Sequence, residues 1–156
     1  MNPRDKYIAT AVLLIGKPYL FGQPATIADM AASNIPGCDC SGAQQYTLYH
    51  AGIVLDQRRN AHELAEYYSS KEIRAADAIP GCLFFYGDTP ESISHVMGCF
   101  SRDESGIITL WGARGGTSET LTIADAARDH AFVTKEPFEY WASHRQLVVD
   151  PFSLSL

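Results

Sequence analysis

The sequence predicts an α+β fold in which helices from the N-terminal half pack on antiparallel strands from the C-terminal half. Apolar residues recur at helical spacing in the first half, whereas short aromatic and β-branched runs separated by turn residues dominate after residue 80. Helices followed by strands are typical of an α+β domain. The 156 residues contain no internal repeat and no linker, so we expect a single domain over 1–156.

Two longer helices are predicted in the first half. One covers residues 5–15 and ends at Gly16, and the other covers 40–51 with Asp39 as its N-cap. The apolar residues of the first fall on one face: Ile8, Ala11, Val12 and Ile15. We therefore expect that face to be buried and Cys40 to lie in the first turn of the second helix.

Shorter elements complete the predicted fold. Asn60 with Glu63, and Thr122 with Asp125, have the spacing of capping boxes, which predicts short helices that end near residues 68 and 129. Five strands are predicted, at 82–86, 95–100, 107–111, around 132 and at 145–149.

The charge balance and hydropathy exclude two classes of function. Lysine and arginine total 12 against 18 aspartates and glutamates, a net charge of −6, and no basic cluster is present, so we expect no nucleic-acid partner. The longest apolar run, residues 8–15, is too short to cross a bilayer. No signal peptide is recognised. We therefore expect a protein that stays in the cytoplasm of its producer, leaves by lysis or injection, or has a signal that this sequence lacks.

Of four cysteines, Cys40 alone is predicted at a helix N-terminus, where backbone N–H groups and the helix dipole favour a thiolate. The plain alternative is a small buried apolar residue. Cys38 and Cys40 form a C-x-C pair without further metal-ligand spacing, so we predict no metal site. Cys82 and Cys99 fall in predicted strands and are interpreted as core, with a disulfide between them left open.

A thiol nucleophile needs a base, and His95 is the candidate. It begins an apolar strand after a turn-rich segment, so its imidazole could stand at the sheet edge and face a helix terminus. A structural histidine is the alternative there. The remaining histidines have surface explanations: His50, His62, His130 and His144.

Four motifs, in this order along the chain, resemble those of the NlpC-type cell-wall peptidases. They are Lys17-Pro18-Tyr19-Leu20-Phe21-Gly22, Asp39-Cys40-Ser41-Gly42, Pro80-Gly81-Cys82-Leu83-Phe84-Phe85 and Ser94-His95-Val96-Met97-Gly98. A Tyr-Trp-Arg segment at 139–145 is also similar to one in that family. Four ordered motifs are far more specific than any one of them.

The resemblance implies a papain-like fold, a cofactor-free thiol hydrolase and, as its substrate, an amide bond in peptidoglycan stem peptides. It implies Cys40 as the nucleophile, His95 as the base and the Cys40 backbone N–H as an oxyanion donor. Tyr19, Asp39 and Ser41 are expected beside the substrate, with Asp39 as the helix cap rather than an acid catalyst. Lysis, phage tail penetration or effector delivery would then bring the protein to the cell wall.

The sequence also departs from the family pattern. A third polar residue, often histidine, is usual on the strand after the base, and Gly112 stands there. Arg114, Glu119, a carbonyl or a water could orient the base instead. Cys82 replaces an aspartate and Gln23 a glycine, and the long loop over 23–37 is expected to cover the cleft.

Three functions follow from these observations. The first is hydrolysis of wall peptides. The second is a catalytically silent copy that binds such peptides or builds a phage tail or secretion particle. The third is the same thiol chemistry used for acyl transfer or on another amide.

Overall fold

The computed structural model describes residues 1–154 and confirms the α+β prediction. Its helices are α1 (Pro3–Leu14), α2 (Ile27–Met30), α3 (Cys40–His50), α4 (Ala61–Tyr68) and α5 (Ile123–Asp129). Its strands are β1 (Leu83–Gly87), β2 (Ile93–Arg102), β3 (Ile108–Arg114), β4 (Phe132–Pro137) and β5 (Arg145–Val149). Single 3₁₀ turns lie at Ser69–Lys71, Ala75–Asp77 and Ala142–His144.

The strands form one antiparallel sheet in the order β4-β3-β2-β1-β5. The helical face packs α1, α3 and α4 against side chains such as Phe85, Val96 and Trp111. The opposite face buries Phe84, Met97 and their neighbours under side chains from residues 73–78 and 138–140. The sheet is thus buried on both faces, and side chains that alternate along a strand enter two different cores.

The predicted helix starts are confirmed by their caps. Asp39 Oδ1 accepts the N–H of Gly42 at 2.7 Å, so α3 begins with Cys40. Capping boxes are present at the starts of α4 and α5, as their spacing predicts.

The predicted face of α1 is wrong in part. The buried residues are Tyr7, Ala11 and Leu14, whereas Val12 is 54% exposed. Ile8 and Ile15 lie at the margin of the core. The register is set by Tyr7, whose hydroxyl donates to Gln44 of α3 and accepts the indole N–H of Trp111. Tyrosine is amphipathic, so a pattern of purely apolar residues places the buried stripe about one residue out of phase.

Other differences are local. Helix α1 begins earlier than predicted because Asn2 caps it and Pro3 fits its first turn. Helix α2 was not predicted. It is a single turn inside the 23–37 loop, capped by Thr26. Strand β2 continues to Arg102 and β3 to Arg114, beyond their predicted ends.

Strands β2 and β3 part at one end. Their paired residues run from Gly98 opposite Trp111 to Arg102 opposite Ile108. Within the described chain, the start of β2 and the last residues of β3 are not paired with each other. This opening lies where α3 begins.

Candidate active site

Cys40 is the first residue of α3 and lies at the opening between β2 and β3. The backbone N–H groups of Ser41, in the first turn of the helix, and of Val96 in β2 both favour the ionised form of its sulfur. Its exposed fraction is 8%. The prediction that this cysteine sits in a helix first turn is confirmed, and the sulfur is almost enclosed.

The thiol is held in its neutral form. Burial raises the pKa of the Cys40 thiol to about 12, and the Asp39 carboxylate adds to the rise. The two N–H groups and Arg58 act in the opposite direction without cancelling it. The helix terminus therefore does not produce a thiolate in the free protein, contrary to the expectation from position alone.

His95 reaches the same region from β2. It pairs with Tyr86 of β1, and its ring lies 5.7 Å from the Tyr86 ring. Burial lowers the pKa of the His95 imidazole to about 4, so the ring is neutral near pH 7. Its Nε2 lies 3.2 Å from the hydroxyl oxygen of Tyr140.

A pocket of about 330 Å³ brings the predicted nucleophile and base together. Its lining comes from the loop after α1, the start of α3, the ends of β2 and β3, and the β4–β5 connection: Tyr19, Cys40, Ser94, His95, Arg114, Gly115, Gly116, Tyr140 and Trp141. Across residues 1–154, no hydrogen bond joins Cys40 to His95. Cys40 and His95 therefore line one pocket without a hydrogen bond between them.

The strand register determines the side from which His95 approaches the pocket. His95 lies opposite Tyr86, on the sheet face that buries Phe84 and Met97, whereas α3 packs on the other face. The imidazole therefore enters the pocket from the far side of the opening between β2 and β3.

Tyr19 lines the pocket with Cys40 and His95. Its backbone N–H donates to the Ala131 carbonyl, and the Leu20 N–H donates to the Cys38 carbonyl, so the backbone at the centre of the motif is held on both sides. A Cβ on Gly116 would lie 2.2 Å from Cδ1 of the Tyr19 ring. Only glycine leaves the ring in this position.

Asp39 and Ser41 lie under the pocket, not among its lining residues. Both are bound by Arg58, whose Nη2 donates to Asp39 Oδ1 at 2.7 Å and whose Nη1 donates to Ser41 Oγ at 2.9 Å. Arg58 also donates to the Pro24 carbonyl. Sequence reasoning missed Arg58 because it lies in a loop that no motif marks.

A side chain at Gly112 would meet the side chain of Met97. A Cβ there would lie 2.7 Å from the Met97 sulfur. Arg114 lines the pocket, but its Nε donates to Glu136 at 2.7 Å, and Glu119 belongs to a different surface depression. Within residues 1–154, neither of these two predicted substitutes forms a hydrogen bond with His95, whereas Tyr140 does. The signal for Tyr140 was the family-like segment at 139–145.

The expectation that residues 23–37 cover the cleft is wrong, since none of them lines the pocket. The Gln23 carbonyl accepts the Asp39 N–H, which ties this loop to the start of α3. Over the described part of the chain, no group of three His, Cys, Asp or Glu side chains is placed to hold a metal ion. Nor is any helix in residues 1–154 long and apolar enough to cross a bilayer.

A family model for NlpC/P60 matches residues 16–104, more than half of the chain. The chain belongs to the NlpC/P60 family. The matched region includes the Cys40 and His95 motifs, so the resemblance predicted from four short motifs is confirmed. No curated protein matches the chain.

Solved structures of NlpC/P60 proteins share the fold. The P60 domain of an antigen of M. avium subspecies paratuberculosis is similar over 97% of this chain and 96% of its own, with a TM-score of 0.64 and 18% identity. The peptidoglycan hydrolase RipB of Mycobacterium tuberculosis has a TM-score of 0.65 and 20% identity, over 97% of this chain and 66% of its own.

NlpC1 of Trichomonas vaginalis has a TM-score of 0.64 and 16% identity, over 96% of this chain. The chain spans only 44% of the length of NlpC1. At these identities the likeness is one of fold.

Proposed function

We propose that this NlpC/P60 chain is a cysteine peptidase or amidase that hydrolyses an amide bond in peptidoglycan stem peptides, with Cys40 as nucleophile and His95 as general base. The observation that carries the proposal is the shared pocket, into which a helix-start thiol and a strand imidazole both open. The substrate class is inferred from the NlpC/P60 family and from the peptidoglycan hydrolase RipB, whose fold is similar to that of this chain.

The ionisation states decide the form of the chemistry. Since burial keeps both the Cys40 thiol and the His95 imidazole neutral, the free protein holds no preformed thiolate–imidazolium pair. The proton therefore passes from sulfur to His95 as the sulfur attacks the substrate carbonyl. Substrate in the cleft must first bring the two groups together, as catalytic hydrogen bonds often tighten only in the complex.

The remaining steps use the same residues. Attack forms the C–S bond, and the carbonyl oxygen becomes an oxyanion that the Cys40 backbone N–H stabilises. The C–N bond breaks as the imidazolium returns its proton to the leaving amine, which leaves a thioester. His95 then takes a proton from water, the water oxygen displaces the sulfur, and the thiol recovers its proton.

A cleavage assay tests the proposal. Wild type and Cys40→Ala are incubated with purified stem peptides, and the products are identified by mass spectrometry. We expect cleavage by wild type, none by Cys40→Ala and most activity lost in His95→Ala.

Cys38→Ala is the matched control, since Cys38 is two residues away and fully buried. This variant should cleave like wild type. Loss of activity in Cys38→Ala with retention in Cys40→Ala would overturn the nucleophile assignment.

The second candidate is a silent copy of the fold that binds wall peptides. It is favoured by the raised pKa of the Cys40 thiol, the missing bond to His95 and the absence of a side chain at Gly112. Calorimetric binding of stem peptides without any cleavage would support it. Cleavage that depends on Cys40 would exclude it.

A further inference from the structure

The His95 imidazole has one polar side-chain partner among residues 1–154, the hydroxyl of Tyr140. A histidine that acts as a base must carry its proton on the ring nitrogen that points away from the nucleophile, and a third group usually fixes that choice. We propose that Tyr140 is the positioning residue for His95: its hydroxyl oxygen accepts the Nε2–H and so leaves Nδ1 unprotonated to receive the thiol proton. This inference rests on the proposed function.

The direction of the hydrogen bond is what gives Tyr140 this role. A neutral imidazole carries one N–H, and an Nε2–H that donates to Tyr140 leaves a lone pair on Nδ1. If the phenol donated instead, Nδ1 would hold the proton and could not act as a base. Once Nδ1 is protonated during attack, Nε2 still donates to the same oxygen, so the contact also stabilises the imidazolium.

Tyr140 itself is held firmly. Its N–H donates to the Pro137 carbonyl at 2.9 Å, and its ring packs edge-on to Tyr86 at 5.7 Å. Trp141 follows with a φ of +44°, a left-handed conformation uncommon for a bulky residue. The Trp141 ring stacks on Tyr86 and on His144. These contacts hold the turn in one conformation and so fix the direction of the Tyr140 hydroxyl.

No other neighbour fits the role. Tyr86 lies against the same imidazole, but within the described chain its hydroxyl has no hydrogen-bond partner. Arg114 is occupied by Glu136 and Thr134. The titratable or charged side chains that pack on the imidazole or line its pocket are Tyr19, Tyr86, Tyr140, Cys40 and Arg114.

The test compares Tyr140→Phe with Tyr86→Phe, which removes a hydroxyl from an adjacent ring that does not bond the imidazole. Two quantities are measured: the His95 tautomer from nitrogen-15 chemical shifts, and kcat and KM separately on a stem peptide. In wild type near pH 7 we expect the Nε2–H tautomer. Tyr140→Phe should give a mixture of tautomers and lower kcat about 10- to 100-fold with little change in KM, whereas Tyr86→Phe should change neither the tautomer nor kcat.

An Nδ1–H tautomer in wild type would overturn the proposal, as would equal kcat values for the two variants. If Tyr140→Phe does not fold, the wild-type tautomer still decides. If wild type cleaves no wall peptide, the proposed function fails, but the tautomers of wild type and variant still confirm or refute the positioning by Tyr140.

Discussion

Arg58 and Asp39 form an ion pair directly beneath the start of α3. Arg58 Nη2 lies 2.7 Å from Asp39 Oδ1, and the two side chains are only 15% and 7% exposed. The same carboxylate oxygen caps the helix through Gly42, and its other oxygen accepts the Gly22 N–H. Asp39 therefore joins the Arg58 loop, the Tyr19 loop and the helix that carries Cys40.

Replacing Arg58 by glutamine is expected to lower the free energy of unfolding by about 3 kcal/mol, because it leaves a buried carboxylate without its cation. Urea denaturation followed by circular dichroism measures the change. Arg74→Gln is the matched control, since the Arg74–Asp77 pair is 82% and 52% exposed. That variant should differ from wild type by less than about 0.5 kcal/mol. Equal effects of the two substitutions would contradict the role of the buried pair.

Alkylation of Cys40 should depend steeply on pH. The thiolate is the reactive form, and a pKa raised to about 12 means that its fraction rises about tenfold with each pH unit below that value. The iodoacetamide rate at the Cys40 peptide, followed by mass spectrometry from pH 7 to 10, should keep rising without a plateau. A rate that levels off below pH 8 would mean a thiolate already present in the free protein.

The burial of His95 predicts a loss of stability in acid. Its pKa is about 4 in the folded chain and about 6.5 when unfolded, so between these values the unfolded chain binds more protons. The stabilising contribution is complete above pH 6.5 and is lost as the pH falls to 4, by at most about 1.4 kcal/mol for each pH unit.

The measurement is the free energy of unfolding of wild type and His95→Gln between pH 4 and 8. The difference between them should shift in favour of the variant as the pH falls. Parallel curves would show that His95 is not buried in its neutral form.

Gly116→Ala should displace the Tyr19 ring, because the added Cβ would lie 2.2 Å from it. We expect a loss of about 1–3 kcal/mol in the free energy of unfolding, as in other overpacked cores. The control is the same substitution in a Tyr19→Ala background, where the clash is gone and the added cost should vanish. A cost that persists without the Tyr19 ring would place the strain elsewhere.

The helix starts and the order of the strands could be predicted because capping and turn residues, which are local in the sequence, determine them. Asp39, Asn60 and Thr122 are capping residues whose spacing fixes helix starts, and each predicted cap is present. Turn residues likewise separated the five strands. The sequence also selected Cys40, His95 and Tyr19, which the chain brings to one pocket.

What could not be predicted depends on tertiary packing. Arg58 pairs with Asp39 across 19 positions of the chain, and Tyr140 pairs with His95 across 45 positions. Local sequence patterns do not indicate contacts between residues so far apart. Position also predicted a thiolate at Cys40, but burial outweighs the helix terminus once the sheet covers the sulfur.

Where β2 and β3 part, the strand that carries His95 also acts on the Cys40 sulfur through its backbone. The Val96 N–H favours the ionised form of that sulfur, as the Ser41 N–H at the start of α3 does. A helix and a strand thus each turn one main-chain dipole toward the proposed nucleophile. Without the Val96 N–H the thiol would be harder still to deprotonate, so the separation of two strands bears directly on the ionisation of one side chain.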